Sequence, residues 1–162
     1  MSSVSNDSLI NTPWEIRRIT VAAALPIRHR VLWPNKNMEE CRVEDDDSGE
    51  HFGVFINETL VCVASIFMTE PFSTALFSKK QQTARLRKFA TIEEYQNKGI
   101  GRFVLKHIMD LMRQQSVSVF WCDARENAMS FYEKFGMSAQ GERFFKDDIP
   151  YQKMAVTFPI SI

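Results

Sequence analysis

The segment Leu86-Arg87-Lys88-Phe89-Ala90-Thr91, followed closely by Gln96-Asn97-Lys98-Gly99-Ile100-Gly101-Arg102, decides how this chain is read. The first part belongs to a run, 83–91, whose composition suits a β-strand. The second part opens a helix of about residues 99–115. There Ile100, Phe103, Val104, Ile108, Leu111 and Met112 recur at the i, i+3, i+4 spacing of one buried face. The first turn of such a helix presents backbone N–H groups with no intrahelical partner, at the positive end of the dipole. Gly99 and Gly101 carry no side chain, so a diphosphate can approach the backbone closely. Lys98 and Arg102, one turn apart, add charge-assisted contacts. Taken alone, the run says only that a phosphate can sit at a helix start, because glycine there is equally a structural turn. It lacks the Gly-Lys-Ser/Thr of a Walker loop, and it lacks the early GxGxxG of a dinucleotide fingerprint.

The same reading extends in both directions. Downstream, 117–122 is a short apolar strand of the kind buried on both faces. Residues 127–135 form a second helix, closed by Gly136 where a left-handed residue is wanted. Two last strands, 137–145 and 151–158, are joined by the polar turn 146–150. Upstream, 14–20 reads as a strand. Residues 21–33 read as a helix interrupted by Pro26 and closed by Pro34. Residues 51–57 and 60–68 form a hairpin across the 57–59 turn. The loop 44–50 carries Asp45, Asp46 and Asp47 and reads as a solvated acidic run, not as a cation site. The order β, α, β, β, β, α, β, α, β, β predicts an α/β chain with a mixed sheet. Helical crossovers imply parallel neighbours, and hairpins imply antiparallel ones. A single domain over 1–162 is expected, with 1–12 as a flexible polar tail.

Composition narrows the function classes. Lys+Arg and Asp+Glu both count 20, and a zero net charge speaks against a nucleic-acid binder. Cys41, Cys62 and Cys122 are odd in number and widely spaced. That pattern predicts neither a disulfide framework nor a zinc site, and it suits reduced thiols in a cytoplasmic protein. No basic-then-apolar start suggests a signal peptide, and no window approaches 18 continuous apolar residues, so no membrane span is expected.

The 96–102 run resembles the acyl-CoA signature of the GNAT superfamily of N-acyltransferases, Q/R-x-x-G-x-G/A. About 30 residues on, Phe131-Tyr132-Glu133-Lys134-Phe135-Gly136-Met137 resembles that family's second hallmark. The resemblance covers roughly residues 60–158. It implies a mixed, mostly antiparallel central sheet with a splayed parallel strand pair and flanking helices. It also implies acetyl-CoA as co-substrate, no metal, and direct transfer of the acetyl group to a primary amine of a small molecule or peptide. The backbone of Phe89, Ala90 and Thr91 would pair with the pantetheine arm like an added strand. The loop from Gln96 through Asn97, Lys98, Gly99, Ile100 and Gly101 to Arg102 would hold the pyrophosphate. Tyr132 matches the tyrosine that protonates the leaving thiolate. The family often places an Asn seven residues before this Tyr. Here Arg125 stands there, available to CoA phosphates or to a substrate carboxylate, and Asn127 is expected to cap its helix instead. Dimers are common in the family. The same features also fit a non-catalytic acyl-CoA-binding regulatory module.

Acyl transfer also needs a base for the ammonium proton, and Glu70, His51, Asp123 and Glu93 are the candidates. Cys122 could carry an acyl group, but no activating partner is visible in the sequence. In the family the first helix and its following loop shape the acceptor site, which singles out Arg28, His29, Arg30 and Trp33. Arg87 and Lys88 are consecutive cations in a central strand, so side-chain alternation sends one of them to the site face. A cation buried there needs an anionic partner, either an acceptor carboxylate or an internal acid such as Glu70.

Overall fold

The computed structural model describes residues 13–70 and 82–159; the expected tail 1–12 lies outside them. Among the described residues there are seven strands: β1 (Glu15–Arg18), β2 (Glu50–Ile56), β3 (Thr59–Thr69), β4 (Thr83–Thr91), β5 (Val119–Arg125), β6 (Ser138–Lys146) and β7 (Ile149–Thr157). They form one sheet in the order β1-β2-β3-β4-β5-β7-β6. The pair β4–β5 is parallel, whereas β1–β2, β5–β7 and β6–β7 are antiparallel. The helices are α1 (Val21–Ile27), α2 (Ile100–Gln114) and α3 (Met129–Glu133). This is the mixed α/β architecture that the element order implied.

Local chemistry explains the connections. Asn57 and Glu58, both at positive φ (50° and 65°), form the two-residue turn between β2 and β3. Asp147 and Asp148 (47° and 65°) do the same between β6 and β7. Two left-handed residues match the twist of the flanking strands. Thr20 caps α1 by accepting from the Ala23 N–H at 3.1 Å. The single helix expected over 21–33 is instead α1 followed by a π-helical turn, Arg28–Leu32. Pro26 removes one i→i−4 donor, and beyond it the Trp33 N–H is shared between Arg28 O and His29 O. Asn127 does not cap α3: it falls in the 3-10 turn Glu126–Ala128, and neither that turn nor α3 carries a side-chain cap. Gly136 (φ 85°) closes α3 as expected, with Met137 N–H donating to Tyr132 O.

The chain divides into two compact units. The first comprises Met1–Ser65 and Lys88–Val104, the second Ile66–Arg87 and Leu105–Ile162, so β3, β4 and α2 each contribute residues to both. The first unit buries Leu25, Ile27, Phe52, Val54, Val61 and Ile100. The second buries Leu105, Ile108, Met112, Val119, Phe120 and Met154.

Candidate active site

In the first unit, β4 runs into the 3-10 turn Glu93–Tyr95 and then into α2. The Gln96 amide Nε2 donates back to Thr91 O at 2.9 Å, closing the loop on the strand that feeds it. Asn97 (φ 61°) and Gly99 (φ 88°) are both left-handed and flank Lys98. Alternating backbone hands of this kind turn successive N–H groups toward one concavity. Gly99 O accepts the first helical hydrogen bond, from Phe103 N–H at 3.0 Å. The N–H groups of Ile100, Gly101 and Arg102 therefore have no partner within the helix. The loop is exposed, with Ile100 buried as its anchor. An added Cβ at Gly99 would meet only the Trp14 ring, at 3.9 Å, so conformation rather than space demands glycine there. The acids before the loop are engaged: Arg30 bonds Glu94, and its Nε lies 3.0 Å from Glu93. Glu93, a candidate base, is thus in an ion pair.

The β4–β5 ladder is short. It pairs Thr83, Ala84 and Arg85 with Val119, Phe120 and Trp121, and β4 then continues through Leu86 to Thr91 without a further pair in that register. Lys88 has φ 54° within this continuation. A left-handed non-glycine residue is uncommon inside a strand and interrupts its regular pleat there. Arg87 lies over the Phe67 ring at 5.9 Å, and Lys88 Nζ lies 3.7 Å from the Trp33 ring centroid. Lys36 stands 5.0 Å from the same indole. Phe89 and Thr91 are half-buried and Ala90 is buried. Thr91 Oγ1 donates to Cys62 Sγ at 3.3 Å, and Ile92 N–H donates to Val61 O.

In the second unit, Tyr132 on α3 is only 9% exposed. Its pKa is raised, by burial first and then by the neighbouring Cys122 on β5. Burial pushes the Cys122 thiol up to about 12. Cys122 therefore stays a thiol near neutrality, and a nucleophilic role has no support in its surroundings. Tyr132 stays protonated and is a donor across the same range.

Arg28 and His51 meet in the first unit, away from solvent. Arg28 is 0% exposed. Its Nη1 and Nη2 grip Asp46 at 2.8 and 2.9 Å, and they also reach Cys41 O and Ser65 Oγ. His51 Nδ1 lies 2.7 Å from Ser65 Oγ, and its Nε2 lies 2.9 Å from Asp46 O. Asp46 is thus no part of a solvated acidic run: it is buried as the bidentate partner of Arg28, 18 residues earlier. Both ring nitrogens of His51 are occupied. Glu70 and Arg125 are exposed. Among the described residues no group of three or more His, Cys, Asp or Glu is placed to hold a metal.

A second charged cluster lies in the second unit, and of its members the sequence singled out only Asp123. Asp123 is 11% exposed. It is met by Arg85 Nη2 at 2.9 Å, Lys153 Nζ at 2.9 Å and Lys146 Nζ at 3.6 Å. Arg85 and Lys153 also lie against the Trp121 ring, at 4.6 and 3.9 Å from its centroid, and Trp121 Nε1 donates to Thr69 Oγ1. The only available signal was an arginine and an acid in two adjacent strands, which identifies a pair only once the register is known.

The sequence model of the Acetyltransferase (GNAT) family matches residues 14–137. An uncharacterized N-acetyltransferase of Bacillus subtilis, YitI, is 34% identical over 138 residues, covering 84% of this chain and 88% of the relative. Among solved structures, the Escherichia coli ribosomal-protein-S18-alanine N-acetyltransferase superposes with a TM-score of 0.68 at 19% identity, covering 92% of this chain and 96% of that one. A GNAT family acetyltransferase from Elizabethkingia anophelis with acetyl-CoA bound superposes with a TM-score of 0.66 at 15% identity, covering 90% and 98%.

Proposed function

The chain belongs to the GNAT acetyltransferase family, and from that membership we propose that it transfers an acetyl group from acetyl-CoA to a primary amine of a small molecule or peptide. The observation that carries this reading is the loop of residues 96–102. Its left-handed Asn97 and Gly99, with the unpartnered amides at the start of α2, make a ready anion cradle. Lys98 and Arg102 add exposed positive charge beside it. Phe89, Ala90 and Thr91, in the stretch of β4 that runs past its ladder, would take the pantetheine amides as an added strand.

Attack of the neutral amine on the thioester carbonyl forms the C–N bond, and the C–S bond then breaks. The leaving thiolate develops charge, and Tyr132 is proposed as the donor that meets it. A tyrosine whose pKa is raised gives up its proton uphill to a thiolate of ordinary basicity. Its contribution is therefore a strong hydrogen bond to the developing charge, with full transfer late. Of the base candidates, Glu70 keeps an exposed carboxylate, whereas His51 would have to leave two hydrogen bonds to act.

The test is binding and turnover together. Acetyl-CoA at a hundred times its Kd should stabilise the fold by about 2.7 kcal/mol. Amines should release CoA thiol in its presence. No thermal shift at millimolar acetyl-CoA would sink the reading. Firm binding with no turnover on any amine would leave the regulatory module instead.

A further inference from the structure

Given the acyl transfer proposed above, on which this inference rests, we propose that Arg85, Lys146 and Lys153 around Asp123 form the subsite for an anionic group of the acceptor, a carboxylate foremost. The acceptor is then an amine that carries a carboxylate a few bonds away, as an amino acid does.

Charge balance points there first. Three cations converge on one carboxylate, at 2.9, 2.9 and 3.6 Å. One of them would suffice to neutralise a structural aspartate. Lys146, 3.6 Å from Asp123 and half-exposed, adds positive charge beside the closer pairs, and a local cationic surface favours a second anion. An unmet donor comes second. Arg85 Nε is buried and has no hydrogen-bond partner, although Nη2 of the same guanidinium is bound to Asp123. A buried N–H without an acceptor carries a desolvation penalty that a ligand oxygen can relieve. Access is the third observation. Side-chain exposures of 21% for Arg85, 26% for Lys153 and 48% for Lys146 leave the cluster open on one side. The Trp121 ring forms its floor, holding Arg85 and Lys153 by cation–π contact.

Strand geometry connects this subsite to the chemistry. On β5, Trp121 and Asp123 share one face, and Cys122 between them points to the other, the side on which Tyr132 neighbours it. The cationic cluster and Tyr132 thus lie on opposite faces of β5, and the cluster sits where the β4–β5 ladder ends, its last pair being Arg85 with Trp121. The register places Asp123 opposite Lys153 and Trp121 opposite Ala155, so β7 supplies the second cation to the same face.

The competing account is that the cluster only staples β4, β5, β6 and β7 together. Initial rates with acetyl-CoA are measured for a panel of amino acids and for the matching amino acid amides. The wild type should prefer the carboxylates at least tenfold in kcat/KM. In Lys146→Met and Lys153→Met that preference should fall by roughly tenfold to a hundredfold, the worth of a charge-assisted hydrogen bond, mainly through KM. Lys153→Arg should restore part of it. The acetyl-CoA thermal shift should persist in all three, which reports that they fold. Calorimetric titration of N-acetyl amino acids against their amides supplies a readout independent of turnover. Tighter binding of the acids, lost in Lys146→Met, supports the subsite even if no amine is acetylated. Equal handling of acids and amides by the wild type, or variants that lose stability while the preference stands, overturns it. Absence of acetyl-CoA binding is a separate outcome: it defeats the transferase reading, and the titration still decides the subsite.

Discussion

Single residues in this chain divide into those that hold the fold and those free to meet a ligand. Arg28 and Asp46 are the clearest of the first kind. Burial by itself would raise the Asp46 carboxyl, but the Arg28 guanidinium and the Val43 N–H outweigh it and hold the pKa below its ordinary 3.8. Removing one partner strands a buried charge, so Asp46→Ala should cost about 3–5 kcal/mol, measured by chemical denaturation. The pH dependence follows in sign. A folded pKa depressed below the unfolded value stabilises above pH 3.8, and the contribution is lost as pH falls through the folded pKa. Wild type should therefore lose stability in that acid window, and Asp46→Asn should show a flatter profile there. Tyr132→Phe removes only the hydroxyl. Turnover should fall by roughly 10²–10⁴, the usual range for a positioned acid, with acetyl-CoA affinity unchanged in calorimetry. Cys62, raised to about 11, and Cys122, raised to about 12, are both buried. Neither should react with iodoacetamide in the native state at pH 7.5, and fast labelling of Cys122 would reopen a covalent route.

Among the elements, the start of α2 concentrates the local signals. Residues 96–102 were legible because each feature is written in neighbouring residues: a glycine-bearing turn and the start of an amphipathic helix. Gly99→Ala tests this. At φ 88° an added Cβ should cost about 1–2 kcal/mol. It should also weaken acetyl-CoA by roughly tenfold or more as the loop amides lose alignment. A substitution that lowers the melting temperature while leaving acetyl-CoA affinity intact would separate the fold of this loop from ligand binding. The strand before it was less legible. Composition identified β4, but the left-handed backbone at Lys88 was hidden, because lysine carries no sign of that conformation. Arg87 lies over Phe67 and Lys88 over Trp33. The first helix was legible in position and not in form. Pro26 marked an interruption, yet nothing in the residues marked the π-helical turn at Arg28–Leu32.

For the whole molecule, stability and binding are linked. A shift of about 2.7 kcal/mol at saturating acetyl-CoA corresponds to roughly 5–10 °C in melting temperature for a chain of this length. No helix among the described residues is long and apolar enough to cross a membrane. The family and its sheet were legible because two motifs, at 96–102 and 131–137, stand at a characteristic spacing around an apolar strand. The sequence by itself determined most of the elements, the hairpin turns, the glycine-bearing turn at 96–102 and the family, since these depend on interactions within a few residues or on short motifs. Only the tertiary structure decided which charges meet. It paired Arg28 with Asp46 across 18 residues and gathered Arg85, Lys146 and Lys153 on Asp123 across as many as 38. Such pairings depend on strand register and on the desolvation each charge undergoes, and neither is written in the residues next to them.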